Sequence, residues 1–284
     1  RAFRSLARVR DINFQPGDHL LLERGSVFQG EFLHLTARGT AEAPILVDAY
    51  GEGPLPAIHA AGNGLWYQNY GGHLDNVVHT WKGYVSSAVL LYDAEYITLR
   101  NLEITNHPQL PGERYNQGDR MNRTGVSVIA KDCGTLHQIE LDHLYIHHVE
   151  GNIYDKHLNN GGIYMSVSRP QDEEKTGIAR YDGVHIHHCR VEDCRRWGMA
   201  VGYTYQHDKF TTLELPDEVV EKYGSTNVLI EHNSLKNIGG DGITPMYCFR
   251  PLVQYNVSEN IALDMNRDVY TEPGDRQGMT AAAM

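Results

Sequence analysis

Residues 139–149 read Ile139-Glu140-Leu141-Asp142-His143-Leu144-Tyr145-Ile146-His147-His148-Val149. Ile139 and Leu141 alternate with Glu140 and Asp142, the mark of an extended strand whose successive side chains point to opposite faces. Four further stretches superimpose on it without a gap: ITLRNLEITNH (97–107), VHIHHCRVEDC (184–194), VLIEHNSLKNI (228–238) and PLVQYNVSENI (251–261). The first position holds Ile97, Ile139, Val184, Val228 and Pro251, and the third holds Leu99, Leu141, Ile186, Ile230 and Val253. The eighth holds Ile104, Ile146, Val191, Leu235 and Ser258. One such row cannot bury its apolar face alone, but stacked rows make a continuous core. The sixth position carries Asn233 and Asn256, where stacked amides would hydrogen-bond along the stack. The fifth carries Asn101, His143, His188, His232 and Tyr255, a second candidate for stacking.

A further strand precedes each row and usually opens on glycine: Gly125-Val126-Ser127-Val128, Gly162-Ile163-Tyr164-Met165, Gly198-Met199-Ala200-Val201 and Gly242-Ile243-Thr244. Ala88 to Leu91 fills the same slot earlier, and Gly278-Met279-Thr280 begins a sixth. Rows start 42, 45, 44 and 23 residues apart. The shortest spacing suits one coil of short strands, and the longer ones suit a coil plus an inserted loop. Insertions are expected at 108–123, 169–180 and 205–225, with a short helix started by Pro216, Asp217 and Glu218. In solenoids such insertions collect on one face, often the binding face. The helix-bearing consensus of leucine-rich repeats is missing. The expectation is an all-β chain: a right-handed parallel β-helix, a single-stranded solenoid with loop insertions on one face. Residues 1–284 form one domain, with N-terminal coils and a cap in 1–87 and regular coils in 88–284. Arg1 and Met284 are read as cut ends of a longer protein.

A net charge of −11 argues against a nucleic-acid partner, which needs clustered Lys and Arg. No apolar run approaches a membrane span. Cys133, Cys189, Cys194 and Cys248 form no CxxC pair and are expected as small buried hydrophobes.

The amino-terminal stretch PGDHLLLERGSVFQG (16–30), followed by APILVDAYGEGPLPAI (43–58), resembles bacterial right-handed parallel β-helix proteins of the pectate-lyase-like superfamily. The resemblance implies an extracellular, cell-surface or periplasmic carbohydrate-active protein. It does not specify the reaction, because that fold hosts hydrolases, lyases and non-catalytic members.

Chemistry is therefore sought in the loops. Glycosidic hydrolysis uses two carboxyl groups about 5 to 9.5 Å apart. Asp241, between glycines before a strand, is the first choice, and its flanking glycines are read as room for a ligand. Asp155, Asp119 and Asp275 are candidate partners. Arg120, Asn122, His157, Asn160, Tyr203, Tyr205, His207, Tyr247 and Arg250 are candidate substrate-binding residues, although any one Tyr is ordinarily core packing. A carbohydrate is the expected partner. No cofactor is expected for hydrolysis, whereas β-elimination on a uronic-acid polymer would admit Ca²⁺. A glycan-binding β-helix without catalysis is the third reading. The histidine runs at 143–148 and 185–188 are read as surface or stacked rather than metal-binding, although His185 and His187 share one strand face.

Overall fold

A computed structural model describes residues 3–72, 74, 80–107, 121–152, 155, 157–211 and 214–264 of the chain. Each 11-residue row bends at its fifth residue, where Asn101, His143, His188, His232 and Tyr255 all adopt φ between +47° and +57°. Non-glycine residues seldom enter this left-handed region, and Asn and His tolerate it better than most. The bend splits every row between two sheets. The first sheet stacks His19–Glu23, Ile45–Tyr50, Ile97–Arg100, Thr135–Asp142, Arg180–His187, Thr226–Glu231 and Leu252–Gln254. The second stacks Val27–Gln29, Ala57–His59, Glu103–Asn106, Tyr145–Val149, Arg190–Cys194, Ser234–Ile238 and Val257–Glu259. The strands preceding the rows form the third: Leu33–Leu35, Lys82–Tyr92, Asn122–Ala130, Gly161–Val167, Met199–Thr204 and Ile243–Pro245. Pairing within this series is parallel throughout, and the chain visits the three sheets in rotation, so the fold is a parallel β-helix.

The rows lie in register. Ile97, Ile139, Val184 and Val228 pair in succession, as do Leu99, Leu141, Ile186, Ile230 and Val253. These side chains, with Ile104, Ile146, Val191 and Leu235, fill the tube at no more than 3% exposure, Val253 at the last row being only partly buried. The fifth-position rings stack outside it: His143 on His188 at 4.9 Å, His188 on His232 at 5.2 Å, and His232 on Tyr255 at 5.1 Å. Inside the bend, the Asn233 amide donates to Asn256 Oδ1 at 2.9 Å and accepts from the Cys189 N–H at 2.9 Å, so no polar group is stranded there. At the amino-terminal end, the 3₁₀ turn Leu6–Asp11 sets Leu6 and Val9 over the core, with Ser5 and the Leu6 N–H both bonded to Glu31.

The opening glycines have a steric cause. A Cβ on Gly125, Gly162 or Gly198 would lie 2.5–2.7 Å from the carbonyl of the next glycine in the ladder, and 2.5–2.6 Å from Ile146, Val191 or Leu235. All four cysteines are free. Cys189 and Cys194 are buried, while Cys133 and Cys248 are half-buried against the core.

One sequence expectation needs correction. The insertion placed at 108–123 ends earlier, because Asn122 and Arg123 already belong to a strand. The insertions reach the third sheet from its two corners. Residues 60–81 and 150–160 join the second sheet to the third, whereas 168–179 and 205–225 join the third to the first. They carry the hairpin strand Leu65–Asn69, the helix Glu173–Thr176 and the helix Asp217–Tyr223, the last as expected from Pro216. Both corners flank the third sheet, and the inserted segments cover its outer face. Its strands Asn122–Ala130, Gly161–Val167 and Met199–Thr204 are accordingly buried on both faces.

Candidate functional site

On the outer face of the third sheet, polar and aromatic groups fill the layer that solvent occupies elsewhere. Gln68, on the hairpin strand, reaches over the sheet to Asn159 and Ser166: its amide donates to Asn159 Oδ1 at 2.9 Å and Ser166 Oγ at 3.1 Å, and it accepts from the Asn159 N–H at 2.8 Å. The Tyr70 and Tyr164 hydroxyls both donate to the His157 carbonyl, at 2.7 and 3.2 Å. Around Tyr203 stand His157 at 5.2 Å, Tyr247 at 5.5 Å, and Tyr70 and His207 at 5.9 Å. Four of the expected binding residues, His157, Tyr203, His207 and Tyr247, thus meet in one cluster. Tyr203 is only 5% exposed, so its ring serves as packing, while Tyr247, Trp66 and Trp81 are the cluster's partly exposed members.

Beside this cluster lies a buried charge group. Asp241 faces the Arg196 guanidinium at 3.5 Å, and both side chains are at most 5% exposed. The guanidinium also lies 4.7 Å over the Trp197 ring. The glycines before Asp241 make room for protein rather than ligand: a Cβ on Gly240 would strike the Arg196 carbonyl, and one on Gly239 would strike the Asp264 carboxylate. That carboxylate is itself held by Arg195 at 3.1 Å.

Asp155 is buried, and desolvation raises its proton affinity against the opposing pull of backbone hydrogen bonds, Asn122 and the nearby Arg196 charge. Its Oδ1 accepts the His157 and Leu158 N–H groups at 2.9 and 3.3 Å, and its Oδ2 accepts from Asn122 at 3.0 Å. Asn160 bonds the Asn152 and Asp155 carbonyls, completing this turn. Both carboxylate oxygens of Asp155 are therefore engaged in holding the loop that carries His157.

Two expected residues are placed elsewhere. Tyr205 joins the core and donates to Glu173 at 2.7 Å, and Arg250 pairs with Asp217 on the exposed helix. Asp119, Arg120 and Asp275 lie outside the described residues, as does the sixth strand expected at 278–280. Gln68, Tyr70, Arg196 and Trp197 were not foreseen. A signal for the last two existed. Aligning the ladder glycines sets Arg196-Trp197 directly between Asn160-Gly161 and Gly240-Asp241.

The first sheet holds a different arrangement. Two groups of acidic and imidazole side chains come within 4.8 Å of one another there: Glu140, His185 and His187, and Asp142, His143 and His188.

The fold is a parallel β-helix with one covered sheet and a buried Asp–Arg pair beside it. No protein-family model matches the chain. It is 39% identical to the lacto-N-biosidase of Bifidobacterium longum subsp. longum, over 99% of this chain and 20% of that protein. The solved GH136 lacto-N-biosidase of Eubacterium ramulus, in native and selenomethionine forms, matches at 55% identity and a TM-score of 0.93. That match covers 98% of this chain and 45% of the solved one. The chain therefore spans less than half the length of the relatives it matches, and shares their fold across that span.

Proposed function

We propose that this chain is the β-helix part of a glycoside hydrolase of the lacto-N-biosidase kind, which releases a disaccharide from an oligosaccharide. The observation that carries this reading is the 55% identity to a lacto-N-biosidase over almost the whole chain. Asp241 supplies one reacting carboxylate. Arg196, fixed over Trp197, orients it. Asp155 positions the His157 loop, and Tyr247 and Trp66 offer ring faces to sugar C–H surfaces. The second carboxylate comes from Asp275 or Asp119. The fold belongs with the pectate-lyase-like β-helices, no cofactor takes part in the reaction, and the protein works outside the cell, at its surface or in the periplasm.

The test uses the full-length protein and a chromogenic lacto-N-bioside. Release of the disaccharide is expected, without the ultraviolet absorbance of an unsaturated uronide. Asp241→Asn and Asp275→Asn should each lower kcat by about 10²–10⁴-fold if the residue transfers a proton. A folded Asp241→Asn variant with unchanged kcat would remove Asp241 from the chemistry. Failure of the full-length protein to release sugar from this substrate or any of a panel of glycans would end the hydrolase reading and leave glycan retention on a column as the function to measure.

A further inference from the structure

Glu140, His185 and His187 project from the outer face of the first sheet, since their neighbours Leu141 and Ile186 point into the core at 0% exposure. The register sets Glu140 beside His185, and Asp142 beside His187 and then Glu231, so these groups form a small grid across three strands. Thr98, one strand earlier, pairs with Glu140. On this grid the two imidazoles stack at 3.9 Å, His187 Nε2 lies 3.0 Å from Glu140 Oε1, and His185 Nε2 lies 3.2 Å from Glu231 Oε1.

The second contacts of each group decide what the grid is for. Glu140 Oε2 accepts from the Thr98 hydroxyl at 2.7 Å, and Glu231 Oε2 accepts from the Gln254 amide at 2.7 Å. Each carboxylate is thereby tied through one oxygen to a neutral donor and turns the other toward an imidazole. His187 Nδ1 lies 2.9 Å from His188 Nδ1 and 3.1 Å from Asp142 Oδ1. Neighbours on one ring nitrogen, a carboxylate among them, orient the ring and aim the other nitrogen, as they do for many metal-binding histidines. His187 and Asp142 side chains are each only 13% exposed, so this orienting pair is sheltered, while Glu140 and His185 stay open enough to admit an ion.

We propose that Glu140, His185 and His187 bind a divalent transition-metal ion of the Zn²⁺ class, with Glu231 as a further oxygen ligand. Two imidazoles and a carboxylate, leaving a position for water or a fourth ligand, is a donor set that suits Zn²⁺. Tetrahedral donors at usual Zn–N and Zn–O lengths sit ~3.4 Å from one another. The three ligand atoms already lie within 4.8 Å of one another, and one pair at 3.0 Å, so side-chain rotation suffices. Calcium, which takes six to eight oxygens, is not matched by this set. The site stands on the first sheet rather than over the third, so it clips together the strands bearing Glu140, His185 and Glu231 and takes no part in hydrolysis.

The proposal stands independently of the glycosidase reading and is tested on the full-length protein purified without a polyhistidine tag. Calorimetric titration with ZnCl₂ should show one saturable ion per chain, CaCl₂ should give no heat from this site, and Co²⁺ should produce a tetrahedral visible band. His185→Gln, His187→Gln and Glu140→Gln should each weaken Zn²⁺ binding at least tenfold, and Asp142→Asn should weaken it about 10- to 100-fold through the loss of orientation. His143→Gln, in the neighbouring exposed cluster, should leave it unchanged. Each variant is checked by its metal-free melting temperature, which these surface positions should barely move. Absence of saturable Zn²⁺ binding, or binding indifferent to both His185→Gln and His187→Gln, overturns the proposal and leaves the grid as a hydrogen-bonded histidine–carboxylate network.

Discussion

The first and third sheets present the same inward pattern and opposite outer faces. Strand Thr135–Asp142 alternates buried Leu136, Ile139 and Leu141 with partly exposed His137, Glu140 and Asp142. Strand Asn122–Ala130, one step earlier along the chain, is buried at every residue. The tube is alike beneath both. Only the third sheet is flanked by insertions at both corners, and their side chains remove its outer layer from water. An outer face in water carries charge cheaply and contributes little to stability. A covered face must satisfy each polar group from within the protein, and penalises any loss.

The contrast is sharpest for ion pairs. Arg196→Ala would remove the buried guanidinium that faces Asp241, with an expected destabilisation of about 3–5 kcal/mol in urea unfolding. Arg100→Ala, removing the half-exposed pair with Asp48 on the first sheet, should cost no more than about 1 kcal/mol. Equal losses would break the comparison. Next in size, Gly162→Ala should destabilise by at least ~1–3 kcal/mol in thermal melts, because its Cβ would meet Val191 and the Gly198 carbonyl, both at 2.6 Å.

A histidine on each face gives the third contrast. His34 sits on the third sheet, its Nε2 3.0 Å from the Ser87 carbonyl. Burial, reinforced by Arg10 and opposed by the bond to Ser87, lowers its pKa from 6.5 to about 4. A depressed pKa means that its contribution is fully present above pH 6.5 and is lost as pH falls toward 4. Wild-type stability should therefore drop on the order of 2 kcal/mol across that window from this group, and His34→Gln should flatten that part of the profile measured by urea titration. Smallest of all, His188→Ala should change stability by about 0.5 kcal/mol or less despite its stacked neighbours, because the ring is exposed.

The same contrast sets what could be read from sequence. Ladders of Ile97, Ile139, Val184 and Val228, the amides of Asn233 and Asn256 and the fifth-position rings were legible, because a one-sided face imposes a period of two. The third sheet's outer layer was not, since Tyr164 and Ser166 are as buried as Ile163 and Met165, and alternation vanishes when both parities are enclosed. Clustering of His157, Tyr203, His207 and Tyr247 followed from stacking the coils. Tyr205 and Arg250 did not join them. Adjacency in sequence hides the bend by which Tyr205 turns into the core, and Arg250 is drawn to Asp217. Gln68 lay beyond reach altogether, because a hairpin folding back across later coils leaves no trace in a repeat alignment.

That hairpin has a kinetic meaning. In an ideal solenoid each coil touches only its neighbours, so the chain can zip progressively from any starting point. Gln68 instead waits for partners 91 and 98 residues away, on a loop and the strand after it, whose own coil must already be in place. Closure of this latch is thus a late event that ties the amino-terminal coils to the middle of the tube, turning a row of separable units into one that opens together.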